Sequence, residues 1–271
     1  MPELPEIETV RRGLSLHLTG TRIRKAVVRQ RHLRRPVTRG LEQKISGLYI
    51  KTIARRAKYL LIKLDYGYLI YHLGMSGSLR IVDEKHIAGR HDHIDIYTED
   101  HRVLRFCDPR KFGLVLWTAK DPLQHKLLRH LGPEPLGNDF SDTYLYQCSR
   151  GRKLAVKNFL MDGRIVVGIG NIYANEALFK ARVHPRRATG RIAQQSYATI
   201  VEAVQRTLRN AIRKGGTTLR DFVATDGRPG YFKQALHVYQ RAGEACTVCQ
   251  TPIRQIRLAQ RSTFYCPHCQ H

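Results

Sequence analysis

The chain has 271 residues, enough for two or three domains with an ample core, and 42% of them are hydrophobic, which excludes a disordered chain. Lys and Arg number 47 against 22 Asp and Glu, a net charge of +25, and such an excess calls for a polyanionic partner held in a salt-sensitive way. No run of 18 apolar residues and no signal-peptide core is present, so we expect an intracellular protein with no membrane attachment.

The first residues, Met1-Pro2-Glu3-Leu4-Pro5-Glu6, hold an unusual combination. A small second residue permits removal of the initiator methionine, so the mature chain is expected to begin with the secondary amine of Pro2. An α-amino group titrates at about 7.7–8.0 and lysine at about 10.4, so near pH 7.4 roughly a quarter of a terminal amine is free against about one part in a thousand of lysine. A secondary amine condensed with an aldehyde carbon gives an iminium whose charge cannot be lost by deprotonation, which makes it a strong electron sink. Glu3 and Glu6 supply carboxylates beside it, one for proton transfer and one to orient the chain start. The same two glutamates equally suit the positive end of a helix. Ile7, Val10, Leu14 and Leu18 lie at near-helical spacing and predict a helix over 5–18, with Pro5 in its first turn.

From Arg22 to about Thr118 the pattern changes to short β-rich runs: 26–28, 59–62, 68–71, 94–97, 103–106 and 114–117. Glycines and polar turns separate them, as in a sandwich or a barrel. Within this region Lys58 closes the basic run Arg55-Arg56-Ala57-Lys58, where it serves either a charged site or a sheet edge. Met75 and Phe112 sit in glycine-flanked stretches that favour exposed loops, although such residues equally fill cores. Gly132-Pro133-Glu134-Pro135-Leu136-Gly137 is a hinge. Helices are predicted over 142–149, 153–161, 171–182 and 192–213, and Gly215-Gly216 ends the last. Asn171, in Gly168-Ile169-Gly170-Asn171-Ile172-Tyr173, opens one of them as a phosphate grip or as a plain N-cap. The segment 217–234 is polar and turn-rich. Cys246, Cys249, Cys266 and Cys269 form C-x2-C-x16-C-x2-C, which fits a closed four-thiolate zinc site with no open position for catalysis. Cys107 and Cys148 lack ligand spacing and are expected to be buried or inert.

Taken together these motifs resemble bacterial formamidopyrimidine-DNA glycosylases over essentially the whole chain. The residues that carry the resemblance are Pro2-Glu3-Leu4-Pro5-Glu6-Ile7-Glu8-Thr9, Arg55-Arg56-Ala57-Lys58-Tyr59-Leu60, His72-Leu73-Gly74-Met75-Ser76-Gly77, Asp108-Pro109-Arg110-Lys111-Phe112-Gly113, the Asn171 run and the cysteines. Ile7 replaces a common valine, and Met161-Asp162-Gly163 departs from a frequent Leu-Asp-Gln. The resemblance implies an α+β multidomain protein. A β-sandwich with a leading helix would occupy 1–131, a helix–two-turn–helix domain 132–236 with a lesion-capping loop at 217–231, and a β-hairpin zinc finger 237–271. It implies a bifunctional DNA glycosylase and AP lyase for 8-oxoguanine and formamidopyrimidines. Pro2 would be the nucleophile at C1′ and Glu3 the acid/base. Lys58 would assist elimination, and Arg261 would hold phosphate during the second elimination. Met75, Arg110 and Phe112 would fill the void left by the extruded base, and His91, Arg152 and Asn171 would contact DNA. One structural Zn2+ is the only cofactor expected. The partner would be damaged double-stranded DNA, bound by a monomer in the bacterial cytoplasm at the nucleoid.

Two alternatives differ in class. A glycosylase for oxidised pyrimidines, endonuclease VIII-like, would keep Pro2, Glu3 and the zinc module. That branch typically carries glycine where this chain has Leu4, and the separate Met75 and Arg110/Phe112 elements also favour the purine branch. A non-enzymatic zinc DNA-binding protein explains the charge and the cysteines but not Pro2, Glu3 and Lys58 together.

Overall fold

The computed structural model describes residues 2–216 and 236–271, so the capping loop expected at 217–231 lies outside the described residues. Within them the chain forms two compact units, one of residues 2–129 with 214–216 and one of 130–213 with 236–271. The class is mixed α and β, as the sequence indicates.

The first unit opens with α1 (Leu4–Leu18), which buries the predicted stripe of Ile7, Val10, Leu14 and Leu18. Burial of four such side chains contributes about 6–12 kcal/mol before chain entropy is counted. Eight strands follow: β1 (Ile23–Val28), β2 (Ile50–Arg56), β3 (Tyr59–Leu64), β4 (Tyr68–His72), β5 (Ser78–Asp83), β6 (Asp92–Thr98), β7 (Arg102–Cys107) and β8 (Leu114–Thr118), with the short helix α2 (Leu41–Ile45) after β1. They make two antiparallel sheets, ordered β1-β6-β7-β5 and β2-β3-β4-β8. Inward side chains of both sheets, with those of α1 and α2, form one core that includes Leu60, Ile62, Tyr71, Ile94, Leu104 and Phe106. This is the sandwich. The runs read from the sequence lie within six of the eight strands, and β2, β5 and α2 are additional.

The second unit contains α3 (Asp142–Ser149), α4 (Val156–Leu160), α5 (Asn171–Lys180) and α6 (Gln194–Arg213), then the hairpin β9 (Arg254–Leu258) and β10 (Arg261–Tyr265). Ser141 caps α3, its Oγ accepting the Tyr144 N–H at 3.1 Å. Helix α4 is shorter than the predicted 153–161, because Ala155 is drawn into a β-bridge with Ala188. The β9–β10 turn places both Ala259 and Gln260 at positive φ, as a two-residue hairpin with a primed turn requires.

Candidate active site and nucleic-acid interface

Pro2 and Glu3 stand at the head of α1. Glu3 is the N-cap, and the helix begins with a reciprocal capping box. The Glu6 carboxylate accepts the Glu3 N–H at 2.8 Å, and the Glu3 carboxylate accepts the Glu6 N–H. Pro2 is buried, Glu3 is 4% exposed and Glu6 3%. Two carboxylates are thus held out of water at the start of one helix. Gly216 lies against Glu6 at φ +82°, where an added Cβ would stand 3.0 Å from Glu6 Oε1, so only glycine fits without displacement.

Lys58 lies at the tip of the β2–β3 hairpin, where Arg56 pairs with Tyr59. Ala57 takes φ +55°, a left-handed conformation unusual for a residue with a Cβ. Arg55 holds this tip. Its Nη1 donates to the Ala57 carbonyl at 2.9 Å and its Nε to Glu8 Oε2 at 3.3 Å. Glu8 lies on α1 and also accepts from Arg11 and Arg12; these guanidinium partners hold its carboxyl below the usual range in spite of burial. One ion network therefore ties the hairpin bearing Lys58 to the helix bearing Pro2 and Glu3.

His72 is a functional candidate that the sequence reading passed over. It is buried, and burial, with the Arg34 and Lys58 charges nearby, pushes its pKa down to about 4. Its Nδ1 accepts the Gly74 N–H at 2.9 Å. The neutral ring therefore carries its proton on Nε2, which makes it an uncharged donor close to Lys58. The only available signal was its place in the His72–Gly77 run.

Met75, Arg110 and Phe112 occupy two turns packed backbone to backbone. Met75 is 41% exposed and Phe112 44%, Arg110 is exposed, and the Arg110 guanidinium lies 4.8 Å from the Phe112 ring centre. An added Cβ at Gly74, which has φ +64°, would come within 2.4 Å of the Phe112 carbonyl carbon. Asp108, fully buried, locks the pair: Oδ1 accepts from Ser76 Oγ and Oδ2 from the Gly113 N–H, both at 2.7 Å. Ser76 Oγ in turn accepts the Arg110 N–H at 3.3 Å. Large apolar tips are thus presented to solvent on a rigid mount. His91 is exposed on the neighbouring loop, its carbonyl accepting the Asp108 N–H at 3.0 Å.

In the second unit Asn171 and Arg261 come together through Ser262. Gly170, not Asn171, is the N-cap of α5, and Asn171 is its first helical residue. Asn171 Nδ2 donates to the Ser262 carbonyl at 3.0 Å, while its buried Oδ1 has no partner among the described residues. Arg261 opens β10 with its side chain exposed. Lys157, another residue the sequence reading passed over, is 0% exposed; its Nζ donates to the Ser262 carbonyl at 3.0 Å and to Thr263 Oγ1 at 2.6 Å. An ammonium buried this deeply persists only where such acceptors surround it. Asn175 Oδ1 accepts the Phe264 N–H at 2.8 Å. Three side chains from α4 and α5 therefore fix the hairpin. Arg152 is exposed on the loop between α3 and α4 and bonds to neither Asn171 nor Arg261.

The four cysteines converge, with their Sγ atoms all within 4.8 Å of one another and individual pairs at 3.4 and 3.9 Å. A tetrahedral Zn2+ with bonds of about 2.3 Å sets its sulfurs about 3.8 Å apart, so the cluster fits the ion. Hydrogen bonds from Thr251 pull the Cys249 thiol down to about 6, whereas burial and the crowding of the other thiols push Cys266 and Cys269 up. A cation is what lets all four ionise together. When bound, zinc crosslinks the two knuckles with no ligand position left open. Glu176 of α5, fully buried, anchors the approach to this module by accepting the N–H groups of His237, Val238 and Tyr239 at 2.9, 2.9 and 3.0 Å. Cys107 and Cys148 are half-buried; burial and Asp92 push the Cys107 thiol up to about 11, which leaves it unreactive.

Three family models match the chain. They describe the formamidopyrimidine-DNA glycosylase N-terminal domain at residues 1–115, the formamidopyrimidine-DNA glycosylase H2TH domain at 131–223, and a zinc finger found in FPG and IleRS at 243–271. A relative named formamidopyrimidine-DNA glycosylase from Ectopseudomonas mendocina is 54% identical over 270 residues, with all of both chains covered. Among solved structures, a variant of Lactococcus lactis FPG in complex with a Fapy-dG-containing DNA superposes with a TM-score of 0.92 at 32% identity, all of both chains covered. MutM in complex with carbocyclic 8-oxo-G-containing DNA gives 0.91 at 32% identity, again over all of both chains.

Proposed function

The chain belongs to the formamidopyrimidine-DNA glycosylase family, and on that premise we propose that it removes oxidised purines from damaged duplex DNA through a covalent bond to Pro2. It is a DNA glycosylase with AP lyase activity. The observation that carries the proposed chemistry is the buried head of α1, where Pro2 and the two shielded carboxylates of Glu3 and Glu6 share one helix start.

The Pro2 nitrogen attacks C1′ of the damaged nucleotide as the bond from C1′ to the base breaks, and the proton that the nitrogen sheds passes to the departing base. Glu3 delivers a proton to the sugar ring oxygen, the ring opens, and the nitrogen lone pair completes an iminium at C1′. That charge acidifies the C2′ hydrogen. Loss of the C2′ proton expels the phosphate on the 3′ side, and a second elimination, begun at C4′, expels the 5′ phosphate. Water then hydrolyses the iminium, freeing the sugar remnant and leaving a one-nucleotide gap with phosphate at both ends. Lys58 and Arg261 sit on phosphates and favour their departure. Met75 and Phe112 wedge the opened stack while Arg110 bonds the orphaned base, because chemistry on a base requires lifting it from the duplex. His91, Arg152 and Asn171 hold the backbone. The helix start behind Asn171 suits phosphate because its backbone N–H groups point outward.

We place the functional boundaries at 1–131, 132–236 and 237–271, with the zinc module held to the helices by Glu176, Lys157 and Asn171. The enzyme acts as a monomer in the bacterial cytoplasm, on the nucleoid. Among the described residues no helix is long and apolar enough to cross a membrane. Parallel cleavage assays on duplexes carrying 8-oxoguanine and an oxidised pyrimidine test the substrate class. Faster strand cutting at 8-oxoguanine is expected, and preference for the pyrimidine lesion would assign the chain to the sister branch.

A further inference from the structure

The first unit carries a basic concavity of about 440 Å³ between the loop that precedes β6 and the loop that holds Arg110. Arg29, Arg90, His91, His93 and Lys111 line it, and its acid is Asp92. Asp92 is already answered, its Oδ1 accepting from Arg80 at 3.0 Å and its Oδ2 from the Gly89 N–H at 2.8 Å. Arg29 is likewise committed, to Asp95 at 2.7 Å. Arg90 and Lys111 are exposed, and among the described residues neither makes an ion pair. Two full positive charges therefore face the concavity unneutralised.

The walls are preorganised. His93 Nε2 donates to the Asp108 carbonyl at 2.7 Å, and the Asp108 N–H donates to the His91 carbonyl at 3.0 Å, so the two loops are stitched together. Arg105, buried and bound by both oxygens of Asp95, donates to the carbonyls of His86 and Ile87 and fixes the far side. Lys111 takes φ +56° and donates its N–H to the Asp108 carbonyl at 3.1 Å, so its backbone is held in a conformation a lysine seldom adopts. A rigid cationic hollow beside the wedge residues is suited to an oxyanion that arrives with the duplex.

We propose that Arg90 and Lys111, across this concavity, clamp a backbone phosphodiester of the bound duplex, an anchor additional to the contacts assigned above. The inference rests on the reading of the chain as a DNA enzyme. Its test is a methylphosphonate scan, in which one phosphate at a time is neutralised along each strand of an 8-oxoguanine duplex, with binding measured for the wild type and for Arg90→Gln combined with Lys111→Gln. The expected result is a single backbone position whose neutralisation weakens the wild type severalfold and leaves the double variant unaffected. The variant's log Kd against log salt should also be shallower by about 1, the share of one phosphate. Penalties equal in both proteins at every position, with an unchanged salt slope, would overturn the clamp. Inorganic phosphate is the second arm. Competition at millimolar phosphate that disappears in the variant while the scan finds no coupled position would assign the hollow to a free anion and likewise overturn it. Wild-type protein that neither binds nor cuts the lesion duplex would instead bring down the reading on which the inference rests.

Discussion

Replacing Glu176 probes how the zinc module is attached. The carboxylate is fully buried and receives three backbone N–H groups, His237 on Oε2 and Val238 and Tyr239 on Oε1. In Glu176→Ala all three donors lose their acceptor, and Val238 is fully buried. An unsatisfied buried donor costs about 1–3 kcal/mol. Counting Val238 in full and the two half-buried neighbours at about half gives a loss of about 2–6 kcal/mol for this junction. Glu176→Gln keeps a neutral acceptor for Val238 and Tyr239 but turns an amide donor toward His237, so its loss is about 2–3 kcal/mol. The assay is native-state hydrogen exchange of the amides at 237–239. At about 1.4 kcal/mol per decade, the alanine variant should exchange at least about thirtyfold faster there, and the glutamine variant should fall between it and the wild type. Exchange within tenfold of wild type in Glu176→Ala would refute the anchoring argument.

Other consequences follow from the same geometry. Glu3→Gln removes the acid/base and is expected to lower single-turnover excision by about 10²–10⁴-fold, while Pro2→Gly should cripple the chemistry and spare DNA binding; normal cutting by either would cancel its assignment. Cys249→Ser should lose zinc and weaken DNA binding at every sequence, as read by metal analysis and by titration of undamaged duplexes; unchanged affinity would remove the hairpin from the interface. His72 titrates at about 4 in the folded chain against 6.5 unfolded, so the unfolded state takes up its proton first. Its contribution is complete above pH 6.5 and is lost as pH falls toward 4, in all about 3 kcal/mol. The difference in unfolding free energy between wild type and His72→Asn should shrink over that window, and a constant difference would count against a buried neutral ring.

Much of the fold was legible because it is written in local patterns. The α1 stripe marks its helix directly, and six strands follow from β-rich runs between turns. The two missed strands are both sheet edges. In β2 only Ile50 and Ile53 are fully buried, and a bulge between Ile50 and Thr52 breaks the alternation that would betray a strand. Edge strands carry charge on their open side, which makes them resemble loops in sequence. At the site, the motif residues were visible as types at set spacings, but their supports were not. Arg55 reaches Glu8 across 47 positions, Glu176 reaches Val238 across 62 and Lys157 reaches Thr263 across 106. No periodicity encodes such contacts. Asn171 shows the limit from the other direction, because a residue type suited to capping is used to grip the hairpin while Gly170 takes the cap.

The most direct measurement is borohydride reduction during incubation with an 8-oxoguanine duplex, followed by peptide mapping of the crosslinked protein. A reduced sugar remnant attached to the nitrogen of Pro2, with Met1 absent, is the predicted result. A crosslink mapped to Lys58 or any other lysine, or active enzyme that retains Met1, would contradict it.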